Sequence, residues 1–192
     1  MSRARRAGID VGGTKCLGVV LDASGQLVGE WRRPTPKTPD ALIETLVLLA
    51  GEMAPFDSLG VGVPGLVTRS GTLRAAPHLL EVSDFEVGAL LTARLGLDVR
   101  VDNDATCATA AEWRLGAGVG SDDLVMVTLG TGIGGGVVAG GRLVRGAHGF
   151  TGEFGHMVVD PTGPPCPCGR RGCWERYASG TALARLGREA AE

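Results

Sequence analysis

Short apolar runs, some alternating and some continuous, are broken by glycines and prolines along the whole chain. Ala7–Val11 and Cys16–Leu21 carry a strand pattern, and Ser24-Gly25 turns the chain into a third strand over Gln26–Trp31. Pro34, Pro36 and Pro39 end that pattern, and Thr38 fits a helix N-cap with Pro39 at the first helical position. Leu42, Ile43, Leu46, Leu49, Ala50 and Met53 then recur at helical spacing, which predicts an amphipathic helix ending near Pro55. Leu59–Val63 reads as a short buried strand running into Pro64-Gly65. A second helix is predicted over Phe85–Leu95, stopping at Gly96, followed by a strand over Asp98–Val101 and a helix over Ala105–Leu115. Leu124–Leu129 is the most β-rich run, Gly136–Val144 reads as a hairpin turning at Gly140-Gly141, and a last helix begins at Thr181. This is an α/β pattern. Its seam is expected near Ala105–Gly120, giving domains over 1–110 and 111–192.

Composition narrows the partners. A chain of 192 residues can bury a real core, as one large domain or two small ones. A formal charge of −2 gives no electrostatic reason to expect nucleic acid or an acidic membrane. Arg3, Arg5 and Arg6 read as a solvated tail; no apolar leader core follows them, and no run is long enough to cross a bilayer. The cytoplasm is the expected compartment, in keeping with five cysteines that do not suggest a disulfide framework. Cys16 and Cys107 sit in apolar contexts and are expected to be small buried hydrophobes. The 32 glycines gather in short loops after apolar runs.

Chemistry concentrates in a few of those loops. His156, Cys166, Cys168 and Cys173 lie in one stretch with Pro164, Pro165, Pro167, Gly169 and Gly172, which bend the chain so that sulfurs can converge. Four N/S ligands suit tetrahedral Zn²⁺ with no open position, so the ion would tie the loop rather than react. Glu153, Glu175 and the second ring nitrogen of His156 could then receive sugar hydroxyls. The plain alternative is a surface loop with free thiols.

Two further loops suit phosphate. In GIDVGGTK, Gly12 and Gly13 allow a tight turn, Thr14 offers a hydroxyl, Lys15 a positive charge and Asp10 a carboxylate for Mg²⁺. The spacing is not that of a Walker A loop, and an ordinary Gly-Gly hairpin is the alternative. In LGTGIGGG, Gly130, Thr131 and Gly132 again follow a strand, and Gly134–Gly136 admit backbone where side chains would clash. Two such loops suggest two similar halves gripping one nucleotide. In VDNDA, Asp104 stands where a strand hands over to a helix; it can serve as a general base, with Asn103 orienting a hydroxyl, or as a helix N-cap. Asp102 is expected to turn away from Asp104. Pro64-Gly65 is either a pocket lining or a plain turn.

Together these motifs resemble the ROK family, which groups bacterial sugar kinases with sugar-responsive repressors. The resemblance runs from about Gly8 to the end of the chain, and CPCGRRGCWERYASG is its most specific part. It implies a two-domain actin/hexokinase-like (ribonuclease H-like) fold with the second domain incomplete. It implies Asp104 as the base acting on a sugar 6-hydroxyl, with Pro64, Gly65, Asn103, Glu153, His156 and Glu175 around the sugar. Asp10, Gly12, Gly13, Thr14 and Lys15, with Gly130, Thr131 and Gly132, would handle ATP phosphates and Mg²⁺, and His156 would serve both zinc and sugar. Many family kinases carry Pro-Asn-Leu where this chain has Pro77-His78-Leu79, so His78 takes the place of a sugar-binding Asn. Roughly a third of the usual kinase is expected to lie beyond the point where the likeness stops.

The resulting expectation is an ATP-dependent kinase of glucose at its 6-hydroxyl, working as a homo-oligomer when full-length. N-acetylmannosamine, N-acetylglucosamine or fructose are alternative acceptors, and polyphosphate an alternative donor. A sugar-sensing regulator would need a DNA-binding module ahead of Asp10, for which no room is expected. An inactive zinc-stabilised fragment is the remaining class.

Overall fold

The computed structural model describes residues 4–76 and 82–191, so His78 lies outside the described residues. The chain divides into two compact units, Met1–Asp104 and Ala105–Glu192, a division that falls ahead of 110/111.

Unit 1 runs β1 (Arg6–Val11), β2 (Lys15–Leu21), β3 (Leu27–Pro34), α1 (Pro39–Met53), β4 (Ser58–Val63), β5 (Leu66–Val67), β6 (Leu73–Ala75), α2 (Val87–Leu95) and β7 (Val99–Asn103). Its sheet has the order β3-β2-β1-β4-β7. β1, β2 and β3 form an antiparallel meander, while β4 and β7 run parallel to β1. Alternation in β1 buries Ala7, Ile9 and Val11. α1 lays Leu42, Ile43, Leu46, Leu49, Ala50 and Met53 into the same core, as its periodicity predicts. Gly18 is what lets that helix come close, because a side chain there would strike Met53 and Leu49. Thr38 caps α1 by accepting from the Ala41 N–H at 3.4 Å.

Three boundaries in this unit differ from the sequence pattern by two residues or more. β3 continues through Pro34, because it is an edge strand where a missing N–H costs no ladder bond. α2 starts at Val87, since Phe85 exchanges both backbone hydrogen bonds with Leu73 (2.8 and 2.9 Å) instead of entering the helix. β7 extends to Asn103, held by register with Val63, and the chain enters the next helix without a loop.

Unit 2 takes up α3 (Asp104–Leu115) after its first residue, then β8 (Leu124–Leu129), β9 (Ile133–Ala139) and β10 (Arg142–Val144). These strands form an antiparallel sheet in the order β10-β9-β8. The hairpin turns at Gly140-Gly141, both at positive φ (54° and 68°), the conformation a two-residue turn requires. It is longer than predicted: β9 begins at Ile133 and takes in Gly134 and Gly135 ahead of Gly136. A side chain at Gly135 would meet the Phe154 ring at 2.7 Å, and one at Gly136 would strike Thr109 of α3. A one-turn 3₁₀ segment (Phe154–His156), α4 (Glu175–Ala178) and α5 (Gly180–Glu189) complete the unit. Cys16 is fully buried as expected, but Cys107 is exposed: α3 buries Ala105, Thr106 and Thr109, and Cys107 lies off that face. Among the described residues no helix is long and apolar enough to cross a membrane.

Candidate active site

In unit 1 the carboxyl ends of three parallel strands bring together three of the predicted motifs. β1 leads into Gly12–Lys15, β4 into Pro64-Gly65, and β7 into Asn103-Asp104, the edge at which open α/β sheets place ligands. Asp10, Gly62 and Asp102 share one row of the register. Asn103 donates from Nδ2 to Gly65 O at 3.1 Å and to Asp104 Oδ1 at 3.0 Å, so the Pro64-Gly65 turn steadies the amide that orients the carboxylate. Gly65 has φ 112°, and a side chain there would strike the Ala75 carbonyl. Asp104 is the first residue of α3. Strand alternation does not set Asp102 apart from it, since residues two apart share a face. β7 ends at Asn103, whose N–H donates to Asp102 Oδ1 at 2.9 Å.

The first glycine loop is the turn of the β1–β2 hairpin, closed by the Gly12 N–H donating to Lys15 O at 2.9 Å. The hairpin and the loop expected to meet phosphate are therefore the same segment. Among the described residues, the N–H groups of Gly13 and Thr14 are not taken by other protein atoms. Burial holds the Asp10 carboxyl above its ordinary range, the Asp104 charge pushes it the same way, and Lys15 opposes both. Asp10 keeps one face to solvent, so a cation could reach it.

In unit 2 the predicted metal ligands converge. One ligand atom each from His156, Cys166, Cys168 and Cys173 lie within 4.8 Å of one another. Cys166 Sγ is 3.6 Å from His156 Nδ1, and Cys168 Sγ is 3.6 Å from Cys173 Sγ. Those separations fit the edges of a Zn²⁺ tetrahedron, which at ordinary Zn–S and Zn–N lengths are about 3.5–3.8 Å. The loop closes on itself through Cys166 N–H to Arg170 O at 2.8 Å and Gly169 N–H to Cys166 O at 3.0 Å. Gly169 and Gly172 take the left-handed conformation (φ 87° and 64°) that this turn needs. Without an ion, burial pushes the Cys166 thiol up to about 12, so loading the site means displacing protons.

The three groups expected to receive hydroxyls lie at this cluster, His156 within it and Glu153 and Glu175 beside it. His156 directs Nδ1 toward Cys166 and Nε2 toward Glu153 Oε2 at 3.8 Å, so one nitrogen faces the sulfurs and the other does not. Glu175 Oε1 lies 3.6 Å from His156 Nδ1 and 3.5 Å from Cys166 Sγ, with a side chain only 12% exposed. Gly130, Thr131 and Gly132 form the turn between β8 and β9, and a side chain at Gly132 would come within 3.1 Å of Glu175 Oε2.

Several residues at these loops escaped the sequence reading. Thr35 and Lys37 hold carbonyls of the first loop, and Gly180 and Thr181 those of the second. Tyr177 donates to Asp160 Oδ2 at 2.9 Å and ties α4 to the metal loop. No local pattern marks them, because their partners are distant in the chain.

The mixed α/β chain, with glycine turns at its strand ends and four candidate metal ligands in one loop, shares the hexokinase-like fold of its structural neighbours. The model of the ROK family matches residues 6–192, and the chain belongs to that family. It is 38% identical over 188 residues to a glucokinase of Streptomyces coelicolor, covering 96% of this chain and 59% of that protein. It is 38% identical over 182 residues to an N-acetylmannosamine kinase of Escherichia fergusonii, covering 92% and 62%. Its structure matches a ROK family glucokinase from Streptomyces griseus in complex with glucose and AMPPNP, with a TM-score of 0.88 and 38% identity, covering 98% of this chain and 61% of that one. The chain thus spans about three-fifths of the length of these relatives.

Proposed function

We propose that the protein is an ATP-dependent glucokinase in which Asp104 takes the proton from the 6-hydroxyl of glucose as that oxygen attacks the γ-phosphorus. The observation that carries this reading is the Asn103–Asp104 pair at the carboxyl end of β7, braced on Gly65. A carboxylate oriented by a neutral amide can accept a proton, and its place at the same carboxyl edge of the sheet as Asp10, whose carboxyl feels its charge, suits it to phosphoryl transfer. The likeness to the Streptomyces griseus glucokinase with glucose and AMPPNP supports the same substrates.

The remaining roles follow from chemistry. Glu153, His156 Nε2 and Glu175 would receive sugar hydroxyls, together with Asn103 and the Pro64-Gly65 turn; His78 would join them. The N–H groups of Gly13, Thr14, Thr131 and Gly132 would receive phosphate oxygens, with Gly12 and Gly130 shaping the turns and Lys15 adding charge. Mg²⁺, held by Asp10, would neutralise phosphate charge when bound. Zn²⁺, held by His156, Cys166, Cys168 and Cys173, would lock the loop carrying Glu153 and Glu175. The protein would work in the cytoplasm, where thiols stay reduced, as a homo-oligomer when full-length, with no nucleic acid or membrane partner.

A panel of acceptors and donors tests this. Glucose with ATP should give glucose 6-phosphate, with Asp104→Asn silent; absence of both sugar binding and turnover for every acceptor would overturn the reading. N-acetylmannosamine is the second acceptor to try, because a relative of that name is equally similar. Fructose, N-acetylglucosamine and polyphosphate complete the panel.

A further inference from the structure

The two glycine loops are held by the same device, built from residues far away in sequence. In the first loop Thr35 donates its N–H to Thr14 O at 3.0 Å and its Oγ1 to Gly12 O at 2.7 Å, while Lys37 Nζ holds Gly13 O at 3.1 Å. In the second, the Gly180 N–H donates to Gly130 O at 2.8 Å, and Thr181 gives Thr131 O both its N–H (3.4 Å) and its Oγ1 (2.8 Å). Each loop also folds its leading N–H inward, Gly12 onto Lys15 O and Gly130 onto Gly132 O. A trans peptide is planar, so tying its oxygen on one side turns the following N–H to the other. Fixing the carbonyls of Gly12 and Gly13 thus aims the N–H groups of Gly13 and Thr14. Fixing those of Gly130 and Thr131 aims the N–H groups of Thr131 and Gly132.

The two anchors differ in what stands behind them. Thr35 is 7% exposed and sits between β3 and α1 in unit 1. Thr181 is exposed and stands at the start of α5, a few residues after Cys173 and Glu175. That connection is tight: the Ser179 N–H donates to Glu175 O at 3.3 Å, and a side chain at Gly180 would come within 2.9 Å of Gly130 O. Glu175 in turn lies beside Cys166 and His156 on one oxygen and close to Gly132 on the other.

We propose that Thr181 is a positioning residue that makes the donor face of the Gly130–Gly132 loop depend on occupancy of the His156, Cys166, Cys168 and Cys173 site. The Gly12–Lys15 loop, held by Thr35, does not depend on it. The inference rests on the metal and phosphate roles proposed above. It gives the ion a second consequence, in the loop that meets the phosphoryl donor as well as the loop that meets the sugar.

Hydrogen exchange on the full chain, loaded with zinc and then stripped with a chelator, reads each loop separately and needs no turnover. Removing the ion should speed exchange at Gly130 and Gly180, whose N–H groups donate to Gly132 O and Gly130 O, and leave Gly12 and Thr35, which donate to Lys15 O and Thr14 O, unchanged. In the zinc-loaded protein Thr181→Val should speed exchange at Gly130 and Gly180 about threefold to tenfold, the factor one hydrogen bond supplies, with zinc content unaltered. Thr181→Ser should restore the original rate. Equal loop exchange in loaded Thr181→Val and the parent protein would overturn the role of Thr181. Loosening of residues 153–175 on chelation without any change at 130–132 would overturn the dependence on metal. If chelation unfolds unit 2 as a whole, a selective dependence of the loop on the metal is overturned, and zinc-loaded Thr181→Val and Thr181→Ser judge the clamp alone. A protein that binds no zinc would sink the metal reading and the dependence together, while the Thr181 variants would still judge the clamp.

Discussion

Asn103 and Asp104 are joined by a 3.0 Å hydrogen bond across the point where β7 becomes α3. Because Asn103 also donates to Gly65 O, the amide beside the carboxylate is held from the turn after β4 as well as from the end of β7. Asp104→Asn keeps the shape and removes the proposed base, so kcat should fall by about 10²–10⁴ with the sugar dissociation constant little changed. Asn103→Ala should lower kcat less, by about tenfold, because the base survives but loses its brace. Steady-state kinetics and sugar titration of both variants check this.

Cys168→Ser should release the metal, since serine oxygen is a poor ligand for the ion that three sulfur donors and an imidazole favour. Metal analysis of the purified variant and its melting curve with and without chelator are the measurements. The variant should resemble the chelated parent protein, and an unchanged metal content would contradict the ligand set.

Asp10 supplies a pH dependence whose sign is defined. Its folded pKa lies above the ordinary 3.8, mainly from burial and then from the Asp104 charge. The folded state therefore holds this proton more tightly than the unfolded state, so the stability it confers is present below 3.8 and lost as pH rises through the folded value. Asp10→Asn should be more stable than the parent at neutral pH in chelator, with the gap closing as pH falls toward 3.8. Adding Mg²⁺ should narrow the gap in the parent and leave the variant unaffected. Paired melting curves across that range test both statements.

Leu46 is fully buried in the unit 1 core, where α1 meets the sheet. Leu46→Ala should cost about 2–5 kcal/mol by denaturant unfolding, from lost burial plus the cavity left behind. Zinc content of the native variant should stay at the parent level, since all four ligands belong to unit 2.

Much of this molecule was legible from residue order. The apolar periodicity of α1, its Thr38 cap and the meander of β1 to β3 are local, and the structure keeps them. The convergence of the four candidate metal ligands was legible for a related reason: they lie close together among prolines and glycines that leave the backbone few other paths. Cys107 was misjudged because apolar neighbours in sequence do not reveal which face of α3 turns inward. The extension of β3 through Pro34 was hidden because only sheet order reveals an edge.

Sequence alone therefore settled which chemical groups the protein carries and the secondary structure around them, since both depend on near neighbours along the chain. Tertiary structure alone decided which groups work together. Gly65 braces Asn103, Thr35 ties down Gly12 and Thr14, and Thr181 ties down Thr131, through hydrogen bonds between distant segments. Such partners are selected by strand order and register, which arise from burying many side chains at once and leave no mark on any short stretch of residues.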